Sequence, residues 1–263
     1  MIFDPLYIGL GFLVGIIVGL TGVGGGSLMT PLLIFVFGIK PSLAVGTDLL
    51  FAAITKAFGV VKHQQHRNID WRITGLLSLG SIPSALLTLW WLRNASIDSD
   101  VVNLYMKKVL GIMLFLTAAA IFLTQLLRKK RVEQHPHGFH SNHAPKNRQI
   151  MTVLLGLVLG FLVTFSSVGA GAVGMVALYA LYNHSPAVRL VGSDIAHAVP
   201  LTLVAGLGHA SLGSVDFNLL LVLLLGSIPG IWLGSHWSAK ASERLLRMLL
   251  AVILTISGYK LLV

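Results

Sequence analysis

Gly46-Thr47-Asp48, followed by His63, Asp70 and Gly80-Ser81-Ile82-Pro83, returns later in the chain as Gly192-Ser193-Asp194, followed by His209, Asp216 and Gly226-Ser227-Ile228-Pro229. Each pair is 146 positions apart, with no gap. Upstream the spacing is 145: Gly15, Val23-Gly24, Gly26 and Pro41 meet Gly160, Val168-Gly169, Gly171 and Pro186. One inserted residue after Pro186 accounts for the change. The chain writes one design twice, in residues suited to a bilayer. That combination points to a transporter built from structural repeats.

Composition supports the bilayer. Of the 263 residues, 55% are hydrophobic and 11% charged, with a mean hydropathy of +0.84. A soluble chain carries about 25% charge. The start, Met1-Ile2-Phe3-Asp4-Pro5, lacks a basic n-region and a small-residue cleavage site, so no cleaved signal peptide is expected. There is no cysteine, which removes disulfides and zinc-thiolate sites. The formal charge of +10 reads as topology rather than nucleic-acid binding, because the basic residues fall in short loops between apolar spans.

Ten apolar stretches are legible, near 6–21, 27–38, 43–61, 73–92, 104–127, 150–166, 172–184, 190–208, 217–237 and 245–263. A crossing needs about 20 apolar residues. The pairs 6–21 with 27–38 and 150–166 with 172–184 look short. Each pair meets at a glycine-rich break, Thr21-Gly22-Val23-Gly24-Gly25-Gly26-Ser27 or Ser166-Ser167-Val168-Gly169-Ala170-Gly171. Irregular backbone at membrane depth survives only inside protein or beside a wet cavity, so broken or re-entrant helices are expected there. If each short pair returns to its starting side, Lys62, Arg67, Arg72, Arg128, Lys129, Lys130, Arg131, Lys146, Arg148, Arg189, Lys240, Arg244 and Arg247 share one face, out of nineteen Lys and Arg. The positive-inside rule makes that face cytoplasmic. Each repeat then crosses an odd number of times and the second copy is inverted. The expected fold is an all-α polytopic membrane protein of two inverted-topology repeats, 1–127 and 149–263. A basic, cytoplasmic linker, 128–148, joins them. Its His135, His137, His140 and His143 read as part of a solvated linker, with a transition-metal site as the minor alternative.

Acidic residues number nine, and Asp48 and Asp194 fall at equivalent places just inside predicted spans. A carboxylate there is a candidate for substrate or coupling-ion binding. The alternative is a helix N-cap, with Thr47-Asp48 and Ser193-Asp194 following a glycine at a helix start. The glycine breaks are the stronger candidate site. Gly24-Gly25-Gly26-Ser27 lets backbone approach a ligand, and Ser27 can open a helix whose N–H groups suit an anion. Ser167, Gly169 and Gly171 form the matching break. Two such ends can converge on one small anion. Tight glycine packing of helices is the plainer reading. Lys56, the only basic residue well inside a span, either meets a carboxylate, a carbonyl or an anionic substrate or snorkels to the membrane edge; its counterpart is Thr202. His63 and His209 end equivalent helices and could relay protons or cap carbonyls. His197 lies mid-span opposite Phe51 in the other copy. Pro31, Pro83, Pro200 and Pro229 are expected to kink helices, and Trp90, Trp91, Trp232 and Trp237 to mark interfaces.

Gly22-Val23-Gly24-Gly25-Gly26-Ser27 before Pro31, Ala44-Val45-Gly46-Thr47-Asp48 running to His63, and Ile69-Asp70-Trp71 before a glycine-containing helix resemble the TauE/SafE family of membrane permeases. Val191-Gly192-Ser193-Asp194, His209 and Gly213-Ser214-Val215-Asp216-Phe217 repeat the pattern. The resemblance covers the chain apart from the histidine-rich linker. It implies a multi-pass inner-membrane transporter of a small sulfur-containing anion such as sulfite or an organosulfonate, acting as an exporter by alternating access. Gly24, Gly25, Gly26, Ser27, Ser167, Gly169, Gly171, Thr47, Ser193 and Lys56 are the candidate substrate contacts. Asp48, Asp194, His63 and His209 are the candidate coupling groups. The second copy has Ser167-Val168-Gly169-Ala170-Gly171 where the first has the fuller glycine run, so the copies need not contribute equally.

No Gly-x4-Gly-Lys-Ser/Thr motif is present, so ATP hydrolysis by this chain is not expected. No nucleophile-base pair or His-x3-His ligand pair falls within a span, so no enzyme, catalytic residue, cofactor or bound metal is predicted. A cation or metal carrier using Asp48, Asp194 and the histidines, or a passive anion channel, remains an alternative. The expected partners are the anion and membrane lipid, with no nucleic acid. The sequence leaves the oligomeric state open.

Overall fold

A computed structural model describes residues 5–21, 26–94, 98–134, 146–183, 185–237 and 243–263. These form helices α1 (Pro5–Thr21), α2 (Gly26–Phe37), α3 (Pro41–Gln65), α4 (Trp71–Asn94), α5 (Ser99–Gln134), α6 (Lys146–Ser166), α7 (Ala172–Leu181), α8 (Ala187–Ser211), α9 (Phe217–Trp237) and α10 (Glu243–Leu262). No strand occurs among the described residues. Six helices, α3, α4, α5, α6, α8 and α9, contain segments long and apolar enough to cross a membrane. One expectation is corrected: α6 begins at Lys146 rather than near 150, and its 21 residues reach crossing length. The short partners are α2, with 12 residues, and α7, with 10. At 1.5 Å per residue these span roughly 18 and 15 Å, about half of a hydrocarbon core. Helix α5 also continues to Gln134, so Arg128–Arg131 belong to a helix rather than to a loop. His135, His137, His140 and His143 lie outside the described residues.

The helix ends follow from sequence. Pro41 opens α3 and Pro186 precedes α8, because proline tolerates the first turn, where its missing N–H costs nothing. Asp70 caps α4: its Oδ1 accepts from the N–H groups of Arg72 (3.1 Å) and Ile73 (3.4 Å). Asp216 caps α9 in the same way through the N–H of Leu219 at 3.0 Å. Both central helices end in one motif. In α3 the N–H of Asn68 reaches the His63 carbonyl at 2.9 Å and that of Arg67 reaches Gln64 at 3.0 Å. In α8, Ser214 reaches His209 at 2.9 Å and Gly213 reaches Ala210 at 3.0 Å. This Schellman closure requires a left-handed residue: Gly213 has φ 71°, and Arg67 takes φ 54° despite its side chain.

The helices pair across the repeats. Helix α1 packs along α9 and α6 along α4, while α3 packs on α8 and α5 on α10. The contacts are reciprocal. A Cβ on Gly11 or Gly15 would lie 2.4 Å from the carbonyl oxygen of Leu223 or Ser227. On Gly156 or Gly160 it would lie 2.2 or 2.3 Å from that of Leu77 or Ser81, their counterparts. Small residues four apart let backbones meet, as packing without a strong hydrophobic drive requires. At one place the copies diverge: Ser84 donates to the Leu157 carbonyl at 2.7 Å, whereas Gly230 sits against the equivalent Phe12 carbonyl.

The core divides in the same way. Met29, Leu33, Ala44 and Phe51 pack with Leu219 and Leu223, and Leu178, Tyr179 and Leu190 pack with Ile73 and Leu77. The outer faces stay apolar: Leu86, Leu87 and Trp90 of α4, Leu154 and Phe161 of α6, Leu221, Leu225 and Trp232 of α9, and Val252 and Ile256 of α10 are exposed. A surface of that kind belongs against lipid.

Candidate functional site

At the centre, α3 and α8 carry buried polar groups on their facing turns. Asp48 stands two turns into α3 and Asp194 two turns into α8, and both are buried. This overturns the N-cap alternative, because the helices start at Pro41 and Ala187 rather than beside the carboxylates. Each carboxylate leans on the short helix of its own repeat. The Thr30 hydroxyl of α2 donates to Asp48 Oδ2. Asp194 Oδ1 lies 2.7 Å from where a Cβ on Gly174 of α7 would stand, so glycine leaves room for the carboxylate. The remaining oxygens, Asp48 Oδ1 and Asp194 Oδ1, are buried with no hydrogen-bond partner.

Lys56 follows Asp48 by eight residues, on the same face of α3, and is buried. Its Nζ donates at 3.4 Å to the carbonyl of Ala170, in the break between α6 and α7. It therefore joins the first repeat to the second. It shares the buried centre with Asp48 and Asp194. Burial and this contact replace the snorkelling alternative. The same break places the Ser167 hydroxyl beside Asp48 but without a hydrogen bond of ordinary geometry. Ser167 itself holds φ 58°, a left-handed conformation unusual for a non-glycine residue, and its counterpart in the first repeat is Gly22. Gly169 and Gly171, at φ 128° and 130°, complete the turn.

His197 stands three residues after Asp194 on α8, so the two side chains share a face. Its Nε2 is 2.8 Å from Ser81 Oγ of α4, and its Nδ1 has no partner. His197 belongs with the group, although its mid-span position alone did not place it there. Ser81 carried a signal in the sequence, because it sits inside the repeated Gly-Ser-Ile-Pro motif. Thr30 carried none.

Other predicted residues go elsewhere. Thr47 Oγ1 accepts the N–H of Asp216 at 3.0 Å and Ser193 Oγ accepts that of Asp70 at 2.7 Å, each tying a central helix to the other repeat's capping loop. His209 donates from Nε2 to the Thr164 carbonyl at 2.9 Å, since a carbonyl can only accept. His63 lies against Gly192. The structure thus brings together Asp48, Lys56, Ser167 and Asp194, and sets Thr47, Ser193, His63 and His209 around the α3–α8 seam. Gly26 and the backbone of Ser27 open α2, while Gly24, Gly25 and the Ser27 side chain lie outside the described residues. Among the described residues no three His, Asp or Glu side chains gather as a metal site.

Residues 7–261 match the family described as Sulfite exporter TauE/SafE. The chain is similar to the Probable membrane transporter protein YjnA of Bacillus subtilis (strain 168), with 43% identity over 96% of this chain and 97% of the relative. It is also similar to the Probable membrane transporter protein MJ0441 of Methanocaldococcus jannaschii, at 28% identity over 97% and 93% of the two chains. The Probable membrane transporter protein YdhB of Bacillus subtilis (strain 168) is 27% identical over 95% and 97%. No solved structure matches the chain. A match over nearly the whole length, an all-helical fold with apolar outer faces and a buried polar centre agree: the chain belongs to the TauE/SafE family of membrane transporters.

Proposed function

We propose that the chain is a secondary transporter of a small sulfur-containing anion, sulfite or an organosulfonate, working as an exporter by alternating access. The two repeats, 1–127 and 149–263, are inverted halves joined by a cytoplasmic linker at 128–148, in a multi-pass inner-membrane protein. Helices α2 and α7 are re-entrant half-crossings whose breaks face one central site. Lys56 supplies its positive charge, and Ser167, Gly169, Gly171 and the Gly24–Ser27 break line it. Asp48 and Asp194 couple the substrate to protons. Thr47 and Ser193 hold the seam on which the halves rock.

One observation carries this reading: Lys56, from one repeat, is held by the Ala170 carbonyl of the other, in the buried centre that also holds both equivalent carboxylates. Buried charge shared between two halves makes their relative position sensitive to what binds there. The reciprocal packing of α1 on α9 and α6 on α4 supports the inverted arrangement. The two carboxylates favour a second reading, a cation carrier, over a passive anion channel.

The test is radiolabelled sulfite flux into proteoliposomes under a defined pH gradient, with taurine, sulfate and thiosulfate as competitors. Saturable flux driven against a concentration gradient is expected, with Ser27→Ala and Gly25→Leu reducing it while the protein still inserts. Flux of cations without flux of sulfite turns the assignment to the cation carrier. Unchanged flux in both variants removes the first-repeat break from the site.

A further inference from the structure

The two halves share their carboxylates but not their cation. Asp48 and Asp194 are counterparts, whereas Lys56 faces Thr202 in the comparison of repeats and His197 faces Phe51. The buried centre therefore holds two carboxylates and one ammonium. The described groups around it can be named. Helix α3 gives Asp48 and Lys56, and α8 gives Asp194 and His197. Helix α2 gives the Thr30 hydroxyl and α7 the bare backbone of Gly174. Helix α4 reaches the group through Ser81, and the α6–α7 break gives the Ser167 hydroxyl and the Ala170 carbonyl. Among the described residues no second permanent cation faces the carboxylates.

Net charge at membrane depth is costly, and attraction offsets that cost only where opposite charges balance. With both carboxylates ionised the group carries one net negative charge. The neutral empty state has Lys56 charged, one carboxylate ionised and the other protonated. A monoanion that takes Lys56 as its partner displaces the ionised carboxylate, and the group is neutral again only when that carboxylate takes up a proton. The partnerless Asp48 Oδ1 and Asp194 Oδ1 are the atoms where protons can sit. A dianion leaves one uncompensated charge even with both carboxylates protonated.

From one buried ammonium sharing the centre with two equivalent buried carboxylates, we infer that the site takes monoanions, each loaded together with one proton, and rejects dianions. The inference rests on the anion-transport reading and deepens it. Substrate and proton travel in one direction as a neutral pair, so export runs only while the outward anion gradient exceeds the inward proton gradient. The proton comes from the solution on the loading side, stays on a carboxylate oxygen while the halves rock, and leaves with the anion. The substrate class is then a sulfonate or hydrogensulfite, rather than sulfate or the sulfite dianion.

The experiment uses the full chain in proteoliposomes with a trapped pH dye and a clamped membrane potential. Methanesulfonate is the monoanionic probe and sulfate the dianionic one. Methanesulfonate uptake should acidify the lumen by one proton per anion, at a rate the potential does not change, and sulfate should move at least tenfold more slowly. Lys56→Thr, which copies Thr202, should lose flux at least tenfold. Asp48→Asn and Asp194→Asn should each still carry one proton per anion, because one carboxylate remains. The double Asn variant should move anions without protons and become sensitive to potential. If that variant does not fold, the native protein's stoichiometry decides alone. Methanesulfonate flux that carries current without protons, or sulfate flux as fast as methanesulfonate, overturns the charge rule and leaves the transport reading standing. No saturable anion flux above protein-free liposomes overturns the transport reading itself.

Discussion

Gly46→Ala measures how tightly the central helix meets the opposite repeat. A Cβ at Gly46 would sit 1.9 Å from the Ser214 carbonyl oxygen, and real Cβ contacts essentially never fall under 3.0 Å. The α8–α9 loop would have to retreat by about 1 Å, stretching the bond from the Asp216 N–H to Thr47 Oγ1, now 3.0 Å, to roughly 4 Å, beyond hydrogen-bonding range. Overpacking costs about 1–3 kcal/mol and the lost bond about 1 kcal/mol, or roughly 2–4 kcal/mol together. At about 2–4 °C per kcal/mol for a chain of this size, the apparent Tm should fall by roughly 5–15 °C. Gly192→Ala should cost the same, because its Cβ would lie 2.0 Å from the Asn68 carbonyl oxygen and stretch the Ser193–Asp70 bond. Gly59→Ala, on the same helix as Gly46, meets only Ile195 Cγ2 at 3.6 Å. That substitution should gain about 0.5–1 kcal/mol by removing a glycine from a helix interior. The assay is thermal unfolding in one detergent, followed by loss of the monodisperse peak. Gly46→Ala melting at or above the native temperature would refute the close approach of α3 to the 214–216 loop.

Arg67→Gly should stabilise the chain by roughly 1 kcal/mol, because it removes a side chain from a left-handed position that Gly213 fills in the other repeat. An unchanged or lower Tm would mean that the Arg67 side chain makes compensating contacts. Thr30→Val removes the hydroxyl that donates to Asp48 and should cost roughly 1–3 kcal/mol, with Thr30→Ser recovering most of it. Equal Tm for both variants would show that the hydroxyl contributes nothing. Arg189→Leu breaks the ion pair from Nη2 to Asp70 Oδ2, 3.6 Å long with the Arg189 side chain 42% exposed. Solvent screening limits the loss to about 1 kcal/mol or less. A drop of more than 10 °C would mean that the pair contributes far more than a screened surface contact.

The sequence shows the fold best where the two copies say the same thing. Asp70 and Asp216 were visible as repeated residues, and the structure explains them as caps on α4 and α9. The ten apolar stretches became ten helices, but the boundaries moved where apolarity and helicity part company, as at polar Lys146-Asn147-Arg148, which begins α6. Lys56, Asp48 and Asp194 were legible as a set because ionisable residues in a span are costly and rare. The reach of Lys56 to Ala170 was not, since it joins positions 114 apart through a glycine turn whose path no periodicity encodes. Thr47 and Ser193 looked like ligand contacts beside the carboxylates. A step of one residue turns a helix by about 100°, so they point to the opposite repeat's loop instead. His197 was legible as a mid-span histidine, but its place beside Asp194 and Ser81 was not, because Phe51 breaks the repeat at that position.

The partnership of α1 with α9 sets the order in which the molecule can be made. Gly11 and Gly15 find their carbonyl partners only at Leu223 and Ser227, more than 200 residues downstream, whereas Gly156 and Gly160 meet Leu77 and Ser81, which are synthesised before them. During synthesis α6 can dock as it emerges, while α1 must wait in the bilayer, its glycine seam uncovered, until nearly the whole chain has been inserted. Neither half closes its own seams, because each holds one strip of the other's. Residues 5–134 expressed alone should be poor at escaping membrane quality control, and supplying 146–263 as a separate chain should rescue them. Assembly is in effect the dimerisation of two tethered halves, completed once α9 is in place.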